Sequence, residues 1–305
     1  MLSLAAGMMA GSASTGDPSA NPKYDAPMSF EDREAIRAYY DDLGDAEWRR
    51  LEDTPRGRVS LEVHRRFLRR FICSNLRVLE VGAGPGRFTI ELAALGAAVT
   101  VTDISSVQLD LHRLHVSDTP AEQAVESREL LDVCETSRIP DDSFDVVVAF
   151  GGPLSYAFEH TDDALAGFFR ITKPGGVVLA SVMSLLGSWR YFLRGVIEDT
   201  QKVGEAANEL VLTTGDLRHF GGKHVCQMFR STEIEVLVGR CGGSLVEMSA
   251  SNWASLADED VVSQLEADAD RWTNFLNHEV AACAEPGAVD GGTHILFAAR
   301  RDSPS

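Results

Sequence analysis

Val78-Leu79-Glu80-Val81-Gly82-Ala83-Gly84-Pro85-Gly86 carries a short apolar run straight into a glycine turn. Glycines there let the backbone bend sharply and approach a ligand that a Cβ would exclude. Beyond the turn, Phe88, Ile90, Leu92, Ala93 and Leu95 mark a helical stretch that stops at Gly96. Ala98 to Thr102 then reads as a second strand, ending in Asp103, 21 residues after Gly82. A carboxylate at that strand end can accept both hydroxyls of a ribose. Strand, glycine turn, helix, strand and acid make the first βαβ unit of a nucleotide-binding sheet.

The alternation continues downstream. A helix from Ser106 to about Ser117 leads to a strand at Ser127–Leu131. Phe144–Phe150 is a buried β run, and a helix through Ala164 to Ile171 follows it. Pro174-Gly175-Gly176 turns into the strand Val177–Val182. Short strands separated by helices imply an α/β fold with a parallel, doubly wound sheet. A helix at Thr232–Cys241 and a final strand at Thr293–Ala299 complete it, and Asp258–Cys283 has helical periodicity. Upstream, Ser29 to Ile72 is helical, with aromatic Tyr39, Tyr40 and Trp48 and an apolar stripe of Val59, Val63, Phe67, Leu68 and Phe71. Residues 1–28 read as a disordered tail and 29–305 as one domain, with cap insertions at about 184–229 and 254–290. Insertions at the carboxyl edge of such a sheet are where an acceptor cap would be built.

A dinucleotide fingerprint wants a small residue after the third glycine, for close packing at the pyrophosphate. Arg87 stands there instead, which counts against a nicotinamide-dependent dehydrogenase. Val78 through Thr89 resembles the first motif of class I S-adenosylmethionine (SAM)-dependent methyltransferases. Pro140-Asp141-Asp142-Ser143-Phe144-Asp145-Val146-Val147-Val148 and Lys173-Pro174-Gly175-Gly176-Val177-Val178-Leu179 resemble the later motifs, in order. The likeness covers residues 75–183.

The resemblance implies a Rossmann-like sheet of seven strands, mostly parallel with an antiparallel last strand, and SAM as cofactor. By it, Glu80 and the turn Gly82, Ala83, Gly84 and Gly86 would meet the amino acid portion of SAM. Asp103 would hold the ribose and Ile104 line the adenine pocket. Asp132, Val133 and Cys134 would contact the adenine edge, and Phe150 and Gly151 would border the sulfonium. Tyr40 is placed to close over SAM from the N-terminal helix.

For methyl transfer to an acceptor, His224 and Tyr156 are the candidate catalytic residues. Tyr156 lies in Gly151-Gly152-Pro153-Leu154-Ser155-Tyr156, which replaces the Asn-Pro-Pro-Tyr of many DNA amino-methyltransferases. His224 borders the apolar pair Val225-Cys226 in the first insertion, where a histidine over a cofactor can serve as general base. His294, at the start of the last strand, reads as a core histidine, and His278 with Glu279 lacks a third ligand for a metal.

The chain has 305 residues, 44% hydrophobic and 24% charged, enough for a continuous core. A net charge of −18 and a pI near 4.8 argue against a phosphate backbone as partner. Arg65, Arg66, Arg69 and Arg70 form the solvated face of a helix. The five cysteines are scattered, without disulfide or zinc spacing, and read as buried thiols in a reducing cytoplasm. No apolar run reaches the ~18 residues of a membrane span. The expected partner is a small-molecule acceptor held by an aromatic, non-basic cap, with neither nucleic acid nor membrane; self-association into a homo-oligomer is compatible with the composition. A non-catalytic SAM-binding protein is the alternative the cap leaves open.

Overall fold

In the computed structural model, residues 30–222 and 224–302 are described. The tail expected at 1–28, the helix cap expected at Ser29, and Lys223 lie outside them.

Three helices lead in: α1 (Phe30–Leu43), α2 (Ala46–Arg49) and α3 (Pro55–Leu68). The helical run expected as far as Ile72 is thus broken twice. Gly44 takes a left-handed φ of 51° after α1, and α3 restarts at Thr54, whose side chain accepts from Gly57 N at 3.0 Å, with Pro55 in the first turn. Along α3, Val59, Val63 and Phe67 are buried against the sheet.

The α/β unit follows as β1 (Arg77–Val81), α4 (Arg87–Ala94), β2 (Ala98–Asp103), α5 (Ser106–Val116), β3 (Val125–Leu130), β4 (Phe144–Ala149), α6 (Thr161–Ile171) and β5 (Thr172–Ser184). Then come α7 (Leu185–Tyr191), α8 (Leu193–Val203), α9 (Glu205–Thr214), β6 (Met228–Phe229) and α10 (Ser231–Arg240). The chain ends with β7 (Gly243–Ala250), α11 (Glu259–Glu266), α12 (Ala269–Cys283) and β8 (His294–Arg301).

The strands run in the order β3-β2-β1-β4-β5-β8-β7. The first five are parallel, and β8 lies antiparallel between β5 and β7. Helices cover both faces, so β1 and β4 are buried apolar runs rather than alternating ones. Val78, Val99, Val146 and Leu179 pack on the side of α3 and α4, while Leu79, Val147 and Val178 pack on the side of α6 and α10.

The sheet has eight strands, where seven were expected. The addition is β6, two residues paired in parallel with Met183 and Ser184 at the end of β5. Pro174–Gly176, expected as a turn, falls in a bulge within β5: Phe144 pairs with Thr172, yet Val146 pairs with Val177.

The arginines at and just beyond the end of α3 carry partners rather than only solvent: Arg65 reaches Glu91, Arg66 reaches Glu62, and Arg70 reaches Glu247. The cysteines are free thiols, but Cys73 is exposed and Cys134 and Cys241 half-buried, so burial describes only Cys226 and Cys283. Among the described residues, no helix is long and apolar enough to cross a membrane.

Candidate active site

The carboxyl ends of β1, β2 and β4 open onto one cavity of about 960 Å³, lined on the sheet side by Gly82, Ala83, Gly84, Asp103, Ile104, Asp132, Val133, Phe150 and Gly151. Parallel strands aim their ends at the same place, which is why residues distant in sequence converge there. Of the residues expected around a cofactor, these nine and Tyr40 line the cavity.

The turn after β1 has left-handed φ at Gly82 (67°) and Gly84 (53°). A Cβ on Gly82 would sit 2.6 Å from Pro153 Cγ, so this turn and the one after β4 interlock only as glycine and proline. Gly84 N donates to Asp103 Oδ2 at 2.8 Å, tying the turn to the acid. Asp103 Oδ1 accepts from Ser105 N at 2.9 Å. Ser105, not Asp103, caps α5, accepting from Gln108 N at 3.0 Å. Burial lifts the Asp103 carboxyl to about 6, against the pull of backbone N–H groups toward the ionised form.

Three expected residues sit elsewhere: Cys134 does not line the cavity, its backbone N donating to Asp132 Oδ1 at 2.9 Å, and Glu80 and Gly86 lie behind the turn. Glu80 is 2% exposed, and Thr89 Oγ1 donates to its Oε2 at 2.5 Å. Arg128 Nε donates to His112 Nδ1 at 2.9 Å, leaving His112 Nε2–H to reach Thr89 Oγ1 at 2.8 Å. Burial raises Glu80 to about 8, so it is a neutral acid here. Gly86, with φ 97°, backs onto α5: a Cβ there would meet Val116 at 2.7 Å and His112 at 2.9 Å.

Helices α1 and α2 and the segment after them roof the cavity with Arg33, Ile36, Tyr40, Glu47, Arg50 and Leu51. Arg33 Nη1 lies 3.2 Å from both Asp132 Oδ2 and Glu135 Oε1, fastening α1 across the loop after β3. Arg50 spends its Nε and Nη2 on Glu47, at 2.9 and 2.7 Å. Its Nη1 has no protein partner among the described residues. Arg87 lines the cavity too, stacked on Trp48 at 3.5 Å to the ring centroid. Sequence spacing had not marked Arg33, Glu47 or Arg50, because it does not show where the N-terminal helices fold back.

Tyr156 also lines the cavity, and its hydroxyl receives the Tyr40 hydroxyl at 2.6 Å. It stands 2.9 Å from His224 Nε2. His224 therefore lies outside the cavity, behind Tyr156, and is 5% exposed. Burial lowers its imidazole to about 4 and holds it neutral. Where Tyr156 donates to Nε2, the His224 proton sits on Nδ1, which is buried with no partner among the described residues. Burial raises both tyrosine hydroxyls, so both stay protonated.

SAM would bring a ribose with two hydroxyls, an ammonium and a carboxylate, and the residues present fit it. Asp103 offers a carboxylate on the cavity wall, Gln108 Oε1 is a buried acceptor with no donor near Gly84, and Arg50 offers a cation. Glu279 serves the fold, accepting from Trp253 N, Ala254 N and Ser255 N at 2.8 to 3.1 Å, and His278 is exposed beside it.

The family model described as a methyltransferase domain matches residues 78–176. A ubiquinone biosynthesis O-methyltransferase from Paramagnetospirillum magneticum is 32% identical over 114 residues, 36% of this chain and 41% of that protein. The ubiquinone/menaquinone biosynthesis C-methyltransferase UbiE of Burkholderia orbicola is 39% identical over 107 residues, 34% of this chain and 41% of its own length. The matched part thus spans about two fifths of these curated relatives. In fold, the chain resembles one in the complex of the Haloferax volcanii Trm112 methyltransferase activator with a putative methyltransferase: TM-score 0.54, 16% identity, 90% of this chain and 98% of that one. An SAM-dependent methyltransferase from Mesorhizobium loti gives TM-score 0.51 at 18% identity, over 78% and 98%. Residues 78–176 thus match a methyltransferase domain, set in a Rossmann-like sheet of the kind these structures share.

Proposed function

We propose that the protein transfers a methyl group from SAM to an uncharged small-molecule acceptor. The observation that carries this is the single cavity where the glycine turn, Asp103, the Asp132–Val133 loop and the Phe150–Gly151 strand end meet Tyr156. Relatives named for ubiquinone O-methylation and ubiquinone/menaquinone C-methylation favour a ring-bearing acceptor.

When bound, SAM supplies a sulfonium methyl: a bond forms from the acceptor's nucleophilic atom to that carbon as the carbon–sulfur bond breaks, and S-adenosylhomocysteine leaves with the electron pair. Asp103 accepts the ribose hydroxyls. Ile104 and Val133 bracket the adenine, with Asp132 held in place by Arg33. Glu47 orients Arg50 so that its free Nη1 meets the carboxylate. The backbone at Gly82–Gly84 takes the amino acid portion, and Glu80 braces that turn from behind. Phe150 and Gly151 border the sulfonium, beside the hydroxyl of Tyr156.

Positioning an acceptor at in-line distance can supply several kcal/mol of the barrier (~7 or more in favourable intramolecular cases). Tyr156 does the positioning: its oxygen faces the cavity while its proton is directed to His224 Nε2. An imidazole lowered to about 4 by burial is a weak base, so His224 acts through Tyr156 as a positioning residue. The insertion at 184–229 is the acceptor cap. The one at 254–290 lines neither this cavity nor the next, and its helices α11 and α12 pack on α3.

Calorimetric titration with S-adenosylhomocysteine, followed by incubation with methyl-labelled SAM and a panel of phenols and quinols, tests this reading. One binding site and label in the organic extract, both lost in Asp103→Ala, are expected. A folded, cofactor-free chain that does not bind S-adenosylhomocysteine would overturn it.

A further inference from the structure

Behind the turn after β4 lies a second cavity, partly open to solvent, that the methyl-transfer reading does not use. Its walls come from the first insertion and the end of β5: Met183 and Leu185, Trp189 and Phe192, Val196 of α8 and Val211 of α9. The surface is apolar almost throughout. Ser188, Thr293, His294 and Trp189 bring polar groups to it; Trp189 Nε1 is a buried donor with no partner among the described residues, while Ser188 and Thr293 are occupied. Ser188 Oγ donates to Thr293 O at 3.3 Å, and Thr293 Oγ1 lies 3.4 Å from Ser251 Oγ and 3.3 Å from His294 Nδ1. His294 has no partner for Nε2 among the described residues.

The same histidine stands against the cofactor cavity. A Cβ built on Gly152 would lie 3.9 Å from His294 Cδ2 and 3.7 Å from Met183 Cε. Gly151 and Pro153, on either side of Gly152, line the first cavity. One glycine, with φ 92° and no side chain, separates the two spaces. Burial lowers His294 to about 3, with the Arg50 cation adding to the effect, so its ring is neutral. In the tautomer that places its proton on Nδ1 toward Thr293 Oγ1, Nε2 offers a lone pair.

We propose that this second cavity is the acceptor's chamber and takes an uncharged, apolar, hydroxyl-bearing molecule whose hydroxyl donates to His294 Nε2. The inference rests on the methyltransferase reading for the word acceptor; the chamber's chemistry stands on its own walls. A charged ligand would be stripped of water there with no counter-ion, whereas an apolar ring with one hydroxyl carries no charge to desolvate and gives His294 Nε2 a donor. His294 is thus a specificity-determining residue, set across the Gly152 wall from the Tyr156 hydroxyl.

The test is equilibrium dialysis of the full chain with 1-naphthol and, separately, naphthalene, each with and without S-adenosylhomocysteine. The quantity read is the ratio of the two affinities, which isolates the hydroxyl. We expect His294→Phe to lower the naphthol-to-naphthalene ratio roughly five- to tenfold, the worth of one hydrogen bond. Val211→Trp, which fills the chamber, should abolish binding of both probes while the S-adenosylhomocysteine titration, which also reports folding, is unchanged. A ratio unaltered by His294→Phe, or naphthol binding that survives Val211→Trp, would overturn the proposal. Loss of S-adenosylhomocysteine binding with both probe results intact would count against the cofactor reading alone and support the chamber.

Discussion

Tyr156 and His224, far apart in the sequence, are joined by a hydrogen bond of 2.9 Å, with Tyr156 on the cavity wall and His224 behind it. The two candidate catalytic residues therefore form one unit with a fixed order: the phenol lines the cavity and the imidazole meets the phenol. Tyr156→Phe should lower kcat by roughly 10- to 100-fold with S-adenosylhomocysteine affinity nearly unchanged, because it removes the oxygen at the acceptor. His224→Ala should lower kcat less, leaving KM for SAM unaltered, and His224→Gln, which restores an acceptor for the Tyr156 hydroxyl, should recover much of it. Equal losses in His224→Ala and His224→Gln would mean that the imidazole does more than hold Tyr156.

Asp103 supplies a pH test. Burial raises its carboxyl to about 6. Donated ribose hydroxyls favour the ionised form, so the ligand competes with a proton for this group. Affinity for S-adenosylhomocysteine should be flat above pH 7 and fall as pH drops below 6. In Asp103→Asn it should be weaker by roughly tenfold or more and should lose that acid limb. Calorimetry from pH 5 to 8 reads both; a wild-type affinity independent of pH would leave Asp103 tying the turn to the helix and nothing else.

The converse sign applies to Glu80. Its carboxyl is raised to about 8 in the fold from an ordinary 4.5, chiefly by burial. The folded chain then holds a proton that the unfolded chain releases, so stability is greatest below pH 4.5 and falls as pH rises to 8. Glu80→Gln keeps an acceptor for Thr89 and removes the ionisation. Relative to wild type without ligand, it should gain on the order of a few kcal/mol at pH 8 and little at pH 5. Thermal melts at the two pH values check this, and an equal Tm difference at both would show that Glu80 is already ionised in the fold.

Arg50 separates the two halves of the cofactor. Arg50→Leu should weaken S-adenosylhomocysteine by about tenfold or more, since a charge-assisted contact to a carboxylate is lost. It should leave 5′-methylthioadenosine, which lacks the amino acid, almost unchanged. A parallel loss for both ligands would place Arg50 in the architecture of the roof instead.

What could be read in advance was local. The turn at Gly82–Gly86 and the acid at Asp103 carry their meaning in short-range spacing, and the residues around them converge because parallel strands end together. Glu80 and Gly86 belong to the same motif, yet one side chain and one Cβ position face the helices: in a strand, successive residues point to opposite faces, and a turn has an inside and an outside. Arg50 and Arg33 were invisible for another reason. Their place depends on the break at Gly44 and the restart at Thr54, which swing the N-terminal helices over the strand ends. His294 was read as core, and so it is, but it borders a cavity that exists only once the first insertion has folded back. Strand β7, with Ser244, Val246 and Glu247 on a half-buried edge, had too mixed a pattern to be located by residue.

The chain leaves β5 at Ser184 and returns beside it at Met228, which pairs with Met183. The segment between begins and ends at one point on the sheet, like a handle fixed to a door by a single plate. Such a segment can be lengthened or shortened in its middle without moving any strand, so long as His224 still meets Tyr156. Choice of acceptor can then change in a lineage while the donor half stays as it was. The family match stops at residue 176, short of that handle.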